Sequence, residues 1–439
     1  MTGEAKRALE AASSGLEARG LPEVEVFAKK GQTRRYELDG RGRFSSRHGE
    51  RGWAIRATGP RSSLFFSGTG APTTRGPWPE PDGFPISLPS PSPPSVWKPP
   101  PGLETPLVVE SEAMELLDVC ARELDKELPG CRVVRAVLED GASNVEIANS
   151  RGVEASYRGR VATLFLSVVD SEPARRPLSE LFCAREPRRF HPRALVRRLV
   201  DRLILEREGR RIERDRGEVL LAPVVGARIL AGLRPLLMGA DSSALVRVLT
   251  DRSGRLAAPG VTVIDDAGLS AGLFSAPADG EGVPTRRLVL VEEGIYRRPL
   301  RAWFEEESDS APARPTGCLR RPGWRDLPRL GPSHLFFEPE PSKRAASLLG
   351  DLTRGYYLTD VLEPGRFDIE GNRFRLPVCG FEVRSAKPVT RVSRAVLSGR
   401  LSAVLQGVRG VGRDLTFFSL GSMIGSPSLL VSGIELDDA

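Results

Sequence analysis

Thirteen prolines fall between Pro72 and Pro106, and no other stretch restricts the fold of this chain so severely. Proline lacks a backbone N–H and fixes φ, so the run can enter neither a regular helix nor a central strand. It suits extended polyproline II, used as a stiff connector or as a ligand for an aromatic groove. Both ends join foldable segments, which favours a connector, with Trp78 and Trp97 pinning it to the surface.

The same pattern flanks this connector on both sides. Residues 1–70 open with an apolar stripe at helical spacing, Ala5, Ala8, Leu9, Ala12 and Leu16, stopped by Gly20 and Pro22. Strand-like pieces follow: EVEVFAKK, TRRYELDG, GWAIRATG and SSLFFSG. Residues 107–170 repeat the order, with Leu116, Leu117, Cys120, Leu124 and Leu128 on a helix closed by Pro129 and Gly130. Strands CRVVRAVLED, SNVEIANS, GVEASYRG and VATLFLSVV come next. A helix packed on an antiparallel sheet, used twice, is the reading for residues 1–209.

An amphipathic helix begins at Pro192, with Leu195, Val196, Leu199, Val200, Leu203 and Ile204 as its apolar stripe. Beyond it the chain is rich in strands and in Gly/Pro turns. A second domain, residues 210–439, is expected as a barrel-like α+β body with short helices at about 343–354 and 401–408. The fold class expected for the whole is therefore α+β, and 439 residues supply two cores.

Composition narrows the function classes. No run approaches 18 uninterrupted apolar residues, which argues against a membrane span, and the first 20 residues lack the apolar core of a secretory signal. Cys120, Cys131, Cys183, Cys318 and Cys379 form no C-x-x-C pair, as expected for reduced thiols in the cytoplasm. The net charge of +7 is spread along the chain. Its densest clusters are Arg197–Arg216, without an aromatic, and Arg314–Arg329, with Trp324 alone; neither carries a nucleic-acid motif, so solvated faces explain them better than nucleic acid does.

The segment Gly217–Leu233, GEVLLAPVVGARILAGL, reads as a buried strand followed by a buried helix. It resembles the core of the TldD/PmbA (modulator of DNA gyrase) metallopeptidase family, whose catalytic members carry His-Glu-x-x-x-His there. The matching positions here are Ala222, Pro223 and Ala227, none of which can hold zinc or move a proton. Further similarity lies in DGEGVPTRRLVLVEEGIYRRPL from Asp279, in GYYLTDVLEPGRFDIEGNRFRLPVCGFEV, and in VLSGRLSAVLQGVRGVGRDL and SPSLLVSGIEL. The late cysteine ligand of catalytic members has no counterpart in GRDLTFFSLGSMIGSP.

The resemblance implies a TldE-like subunit without catalytic or metal residues of its own. Zinc would then belong to a TldD-like partner, and flexible or unfolded peptides would bind as an added strand. Glu281, Gly282 and Thr285 on the matching turn, and Arg373, Cys379 and Gly380 on the matching hairpin, are the groove candidates it implies, against ordinary turn and strand roles. Two rival readings stand beside it. One is an independent or self-associating protein-binding regulator, gyrase- or toxin-linked. The other is an enzyme with a relocated site, for instance Cys379 activated by His334 or His191. The glycine-rich GVRGVG from Gly407 follows a helix-like stretch and reads as helix termination.

Overall fold

The computed structural model describes residues 3–437 apart from 73, 75, 171–176, 213, 240–241, 251–252, 271 and 307–315. Arg314 of the second arginine cluster lies outside the described residues. Among the described residues no helix is long and apolar enough to cross a membrane.

Helix α1 (Glu4–Glu17) buries Ala5, Ala8, Ala12 and Leu16, the stripe its spacing predicts. Strands β1 (Glu23–Asp39), β2 (Gly42–Thr58) and β3 (Ser63–Thr69) follow. The second copy contributes α2 (Glu110–Glu127), β4 (Arg132–Asn149), β5 (Glu154–Val169) and β6 (Leu178–Ala184). The copies share one six-stranded antiparallel sheet, order β3-β2-β1-β4-β5-β6, joined through the long β1–β4 pairing from Glu25↔Asn149 to Asp39↔Arg135.

The strands are longer and fewer than the sequence predicts. EVEVFAKK and TRRYELDG are one strand, as are the two pieces of β4 and the two of β5. Gly31 and Gly141 read as breaks because isolated glycines usually mark turns or bulges. Here they serve close approach instead. A Cβ on Gly31 would lie 3.3 Å from the Ala142 carbonyl oxygen, and one on Gly141 would lie 3.2 Å from Thr33 Oγ1.

Both helices cover one face of the sheet. α1 packs on Val24, Val26 and Ile55, whereas α2 and α3 (Pro192–Glu208) pack on Tyr36, Leu138, Leu164 and Leu166. Alternation puts Phe27, Lys29, Gly31, Val145 and Ile147 on the opposite face. That face meets the C-terminal half, where Trp324 joins Phe27, Val145 and Ile147 in a small buried cluster.

The proline-rich connector is tied at both ends. Trp78 packs against the α1 core, and Trp97 Nε1 donates to Ser275 Oγ at 3.1 Å. In between, Gly83 makes a single antiparallel bridge to Ser63 of β3, and Asn149 Nδ2 donates to the Pro89 carbonyl at 2.8 Å, fastening a segment that forms no regular strand.

In the C-terminal half, strands Arg373–Arg384, Arg354–Val361, Asp215–Leu221, Leu429–Asp437 and Lys387–Gly399 pair in that order, and the last pairs back to the first. The result is a closed barrel. A second six-stranded sheet contains Val263–Asp266, Arg287–Glu292, His334–Phe337 and Met423–Ser426. Helix α4 (Pro223–Gly232) leaves the barrel strand Asp215–Leu221 and joins the core shared by both sheets. The short helices lie at Ala345–Asp351 and Leu401–Gln406.

Candidate functional site

The junction of the strand Asp215–Leu221 with α4 is apolar throughout. Ala222 is the residue before the helix and Pro223 opens it, where a missing N–H costs nothing. Ala227 is fully buried among Val225, Ile229 and Leu230. Gly226 seats the helix on Met423–Ser426, because a Cβ there would lie 2.2 Å from Ser426 Oγ. Alanine methyls and a pyrrolidine ring offer no lone pair, so these positions do not fit a metal. Among the described residues no group of three His, Cys, Asp or Glu side chains could hold one.

The cysteine–histidine alternative finds no geometry. Cys379 is completely buried in the barrel wall, and burial pushes its thiol up to about 12. His334 lies in the other sheet with both ring nitrogens used, Nδ1 toward the Asp266 carbonyl at 2.9 Å and Nε2 accepting from Phe274 N–H at 3.2 Å. Burial lowers it to about 4, so it is a neutral structural imidazole. His191 is exposed at the start of α3.

The six groove candidates fall into two separate places. Arg373 is exposed at the start of its strand, while Cys379 and Gly380 are buried further along it. A Cβ on Gly380 would lie 2.0 Å from the Tyr357 carbonyl oxygen, so only glycine permits that strand pairing. Glu281, Gly282 and Thr285 are buried on a turn against the N-terminal sheet. Gly282 has φ +82°, and a Cβ there would lie 2.6 Å from Val153 Cγ1 on the loop before β5. Thr285 Oγ1 donates to the Ala276 carbonyl at 2.5 Å.

Around that turn the structure assembles charges that are distant in sequence. Arg56 on β2 bridges Glu25 on β1, at 2.9 Å, and Glu281. Glu25 also accepts from Arg321 at 2.5 Å, and Glu281 from Trp303 Nε1 at 2.8 Å. The two carboxyls shift in opposite directions for a geometric reason. Burial pushes Glu25 up, but Arg321 and Arg56 together outweigh it and hold the group below its ordinary value. Burial also pushes Glu281 up, and one guanidinium set against the nearby Glu25 leaves it raised. Asp279, two residues earlier, accepts N–H bonds from Glu281 at 2.9 Å, Val283 at 3.0 Å and Leu319 at 3.0 Å. Burial, reinforced by Glu281, raises it to about 7.

Sequence reading passed over Glu25, Arg56, Asp279 and Arg321. Two of them left a trace, because Glu25 and Arg56 are lone charges within the apolar runs VEVF and WAIRA. Nothing local identifies their partners, since Glu25 and Arg56 are 31 residues apart and the partners from the C-terminal half, Glu281 and Arg321, lie 225 and 296 residues away.

Beside this network lies a half-open cleft of about 560 Å3 between the bare sheet face and the C-terminal half. Its floor is poor in side chains. Gly31, Ser143 and Gly159 stand in register across β1, β4 and β5, with Thr33, Gly141 and Val161 as the next row. The facing wall brings the extended segment 273–280 and residues Arg320, Arg321 and Ser422. Such a trough admits an extended chain close to the backbone and asks little of its side chains.

Comparisons with known proteins agree along most of the chain. Family models described as the PmbA/TldA metallopeptidase central and C-terminal domains match residues 103–207 and 214–437. An uncharacterised protein of Methanocaldococcus jannaschii is 24% identical over 260 residues, which are 56% of this chain and 59% of that relative. The structure is similar to that of TldE from Thermococcus kodakarensis, with a TM-score of 0.83, 15% identity and coverage of 98% of this chain and all of the other. A Thermotoga maritima protein described as a candidate modulator of a DNA gyrase gives a TM-score of 0.81 at 18% identity, covering 98% and 99% of the two chains.

Proposed function

We propose that this chain, which belongs to the PmbA/TldD metallopeptidase family, is a non-catalytic, TldE-like subunit that completes the peptide chamber of a metal-bearing TldD-like partner. The observation that carries the reading is the side-chain chemistry of Ala222, Pro223 and Ala227. These three positions resemble the family's metal motif and present only hydrocarbon; Ala227 sits in the core, Ala222 is buried and Pro223 is half-buried. With no group of metal-binding side chains among its described residues, the chain leaves the ionising of a water to another chain.

The division of labour follows from what each surface can do. The cleft, with its glycine and serine floor, offers width and close approach to an extended peptide. The floor strands are already paired on both sides, so side chains such as Ser143 and those of the facing wall supply the hydrogen bonds. Zinc in the partner supplies the polarised water, and this subunit binds, orients and shields the substrate. Flexible or unfolded peptides suit such a groove because they are already free to extend.

The test is co-expression with the TldD-like neighbour and an assay of peptide cleavage by each chain and by the pair. Cleavage that requires both chains, with zinc found only in the partner, is the expected outcome. Stoichiometric zinc in this chain alone, with chelator-sensitive hydrolysis, would sink the proposal. A stable homodimer that ignores the partner would return the chain to the class of independent binding proteins.

A further inference from the structure

A second depression, of about 500 Å3, opens on the helix-covered face of the N-terminal sheet, between the first turn of α1 and the connector. Its floor is a single row. Arg51, Lys30, Asn144 and Arg158 stand directly opposite one another across β2, β1, β4 and β5. In-register partners share a face, so three cations and an amide project into the same space.

Like charges directly opposite in a sheet cost stability, and the internal acids relieve only part of the cost. Arg51 pairs with Glu4 at 2.8 Å, and Arg158 pairs with Glu104 of the connector. Glu146 also lies at the site, but its Oε2 is engaged by the backbone N–H groups of Gly3, Glu4 and Ala5 at 3.3, 2.8 and 3.3 Å. It therefore caps α1 and makes no ion pair with Lys30, although its charge stays at the rim of the depression. Among the described residues neither Lys30 nor Arg7, both exposed and both lining the depression, has a carboxylate in ion-pair contact. Two positive charges remain unmatched in a concave, polar site.

We propose that this depression binds a small molecule bearing a phosphate dianion, held by Lys30 and Arg7 with Asn144 and Arg51 as further donors. A phosphate monoester carries close to two negative charges near neutral pH, which matches the two uncompensated cations. A single carboxylate would leave one of them unmatched. The volume suits a ligand of mononucleotide size. The site lies on the opposite sheet face from the cleft floor and does not depend on a peptidase partner.

Calorimetric titration of the full chain with inorganic phosphate and with AMP tests the assignment. Saturable one-site binding of both, weakened by added salt, is expected. Lys30→Ala and Arg7→Ala should each weaken it by about tenfold, the double variant should abolish it, and Lys30→Arg should retain it. Both side chains are exposed, so unchanged thermal melts check that the variants fold. Absence of saturable binding to the wild type, binding retained by the double variant, or equally tight binding of the dicarboxylate malonate would each overturn the proposal.

Discussion

Two segments of the C-terminal half carry the family's likeness, and they have opposite characters. The junction at Ala222–Ala227, which resembles a metal motif in position, carries hydrocarbon side chains, with Val225 and Ala227 packed into the largest core. The turn at Asp279–Thr285, whose Glu281, Gly282 and Thr285 read as groove candidates or ordinary turn residues, sits in a dense charge network, with Asp279, Glu281, Glu25, Arg56 and Arg321 all buried or nearly so. Motif likeness therefore locates a position in the fold without its chemistry. Here the charge serves to lock the N-terminal sheet onto the C-terminal half.

Removing the central cation should break that contrast most visibly. Arg56→Leu leaves Glu25 with one partner and Glu281 with only an indole N–H, both in low dielectric. Removing one partner of a buried ion pair costs about 5 kcal/mol at the upper end. Denaturant unfolding of the variant should register a loss of that size, and a change below about 1 kcal/mol would mean that water reaches the network.

Asp279 gives the same region a pH signature. Its folded-state value, about 7, lies above the ordinary 3.8, so the native state holds a proton that the unfolded chain releases. Stability from this group is complete below about pH 4 and is lost as pH rises through about 7. At about 1.4 kcal/mol per unit, the loss is on the order of 4 kcal/mol. Asp279→Asn removes that slope, so variant minus wild-type stability should rise between those pH values. Parallel curves would show that the raised value is wrong.

The hydrocarbon junction should respond to steric change and be indifferent to pH above the range where histidine titrates. Ala227→His forces an imidazole into a fully buried methyl site, at a cost of about 1–3 kcal/mol from overpacking. Zinc added to this variant should not restore the loss, because neither a carboxylate nor a thiolate stands beside it. Recovery of the melting temperature with zinc would reveal a latent ligand set.

Much of the architecture was legible because it rests on periodicity. The stripes of α1, α2 and α3 identify their buried faces, and the proline run divides the two copies of the N-terminal pattern. Strand lengths were not legible. Gly31 and Gly141 look like turn residues in isolation, and only neighbours on both sides of β1 and β4 make extended pairing the better use of their backbones. The cleft was equally hidden, since its floor is three residues, Gly31, Ser143 and Gly159, whose value lies in standing side by side.

What the sequence determined by itself was the family, the helix-then-sheet order of the N-terminal half, and the apolar character of Ala222, Pro223 and Ala227. Those follow from residue identity and local spacing, which need no partner to be read. Only the tertiary structure decided which charges are buried together, which face of the sheet is bare, and that Lys30 and Arg7 face a polar hollow whose acids are engaged elsewhere. Electrostatic environment is set by distance in space, and residues as far apart as Glu25 and Arg321 acquire a shared fate only when the chain has closed upon itself.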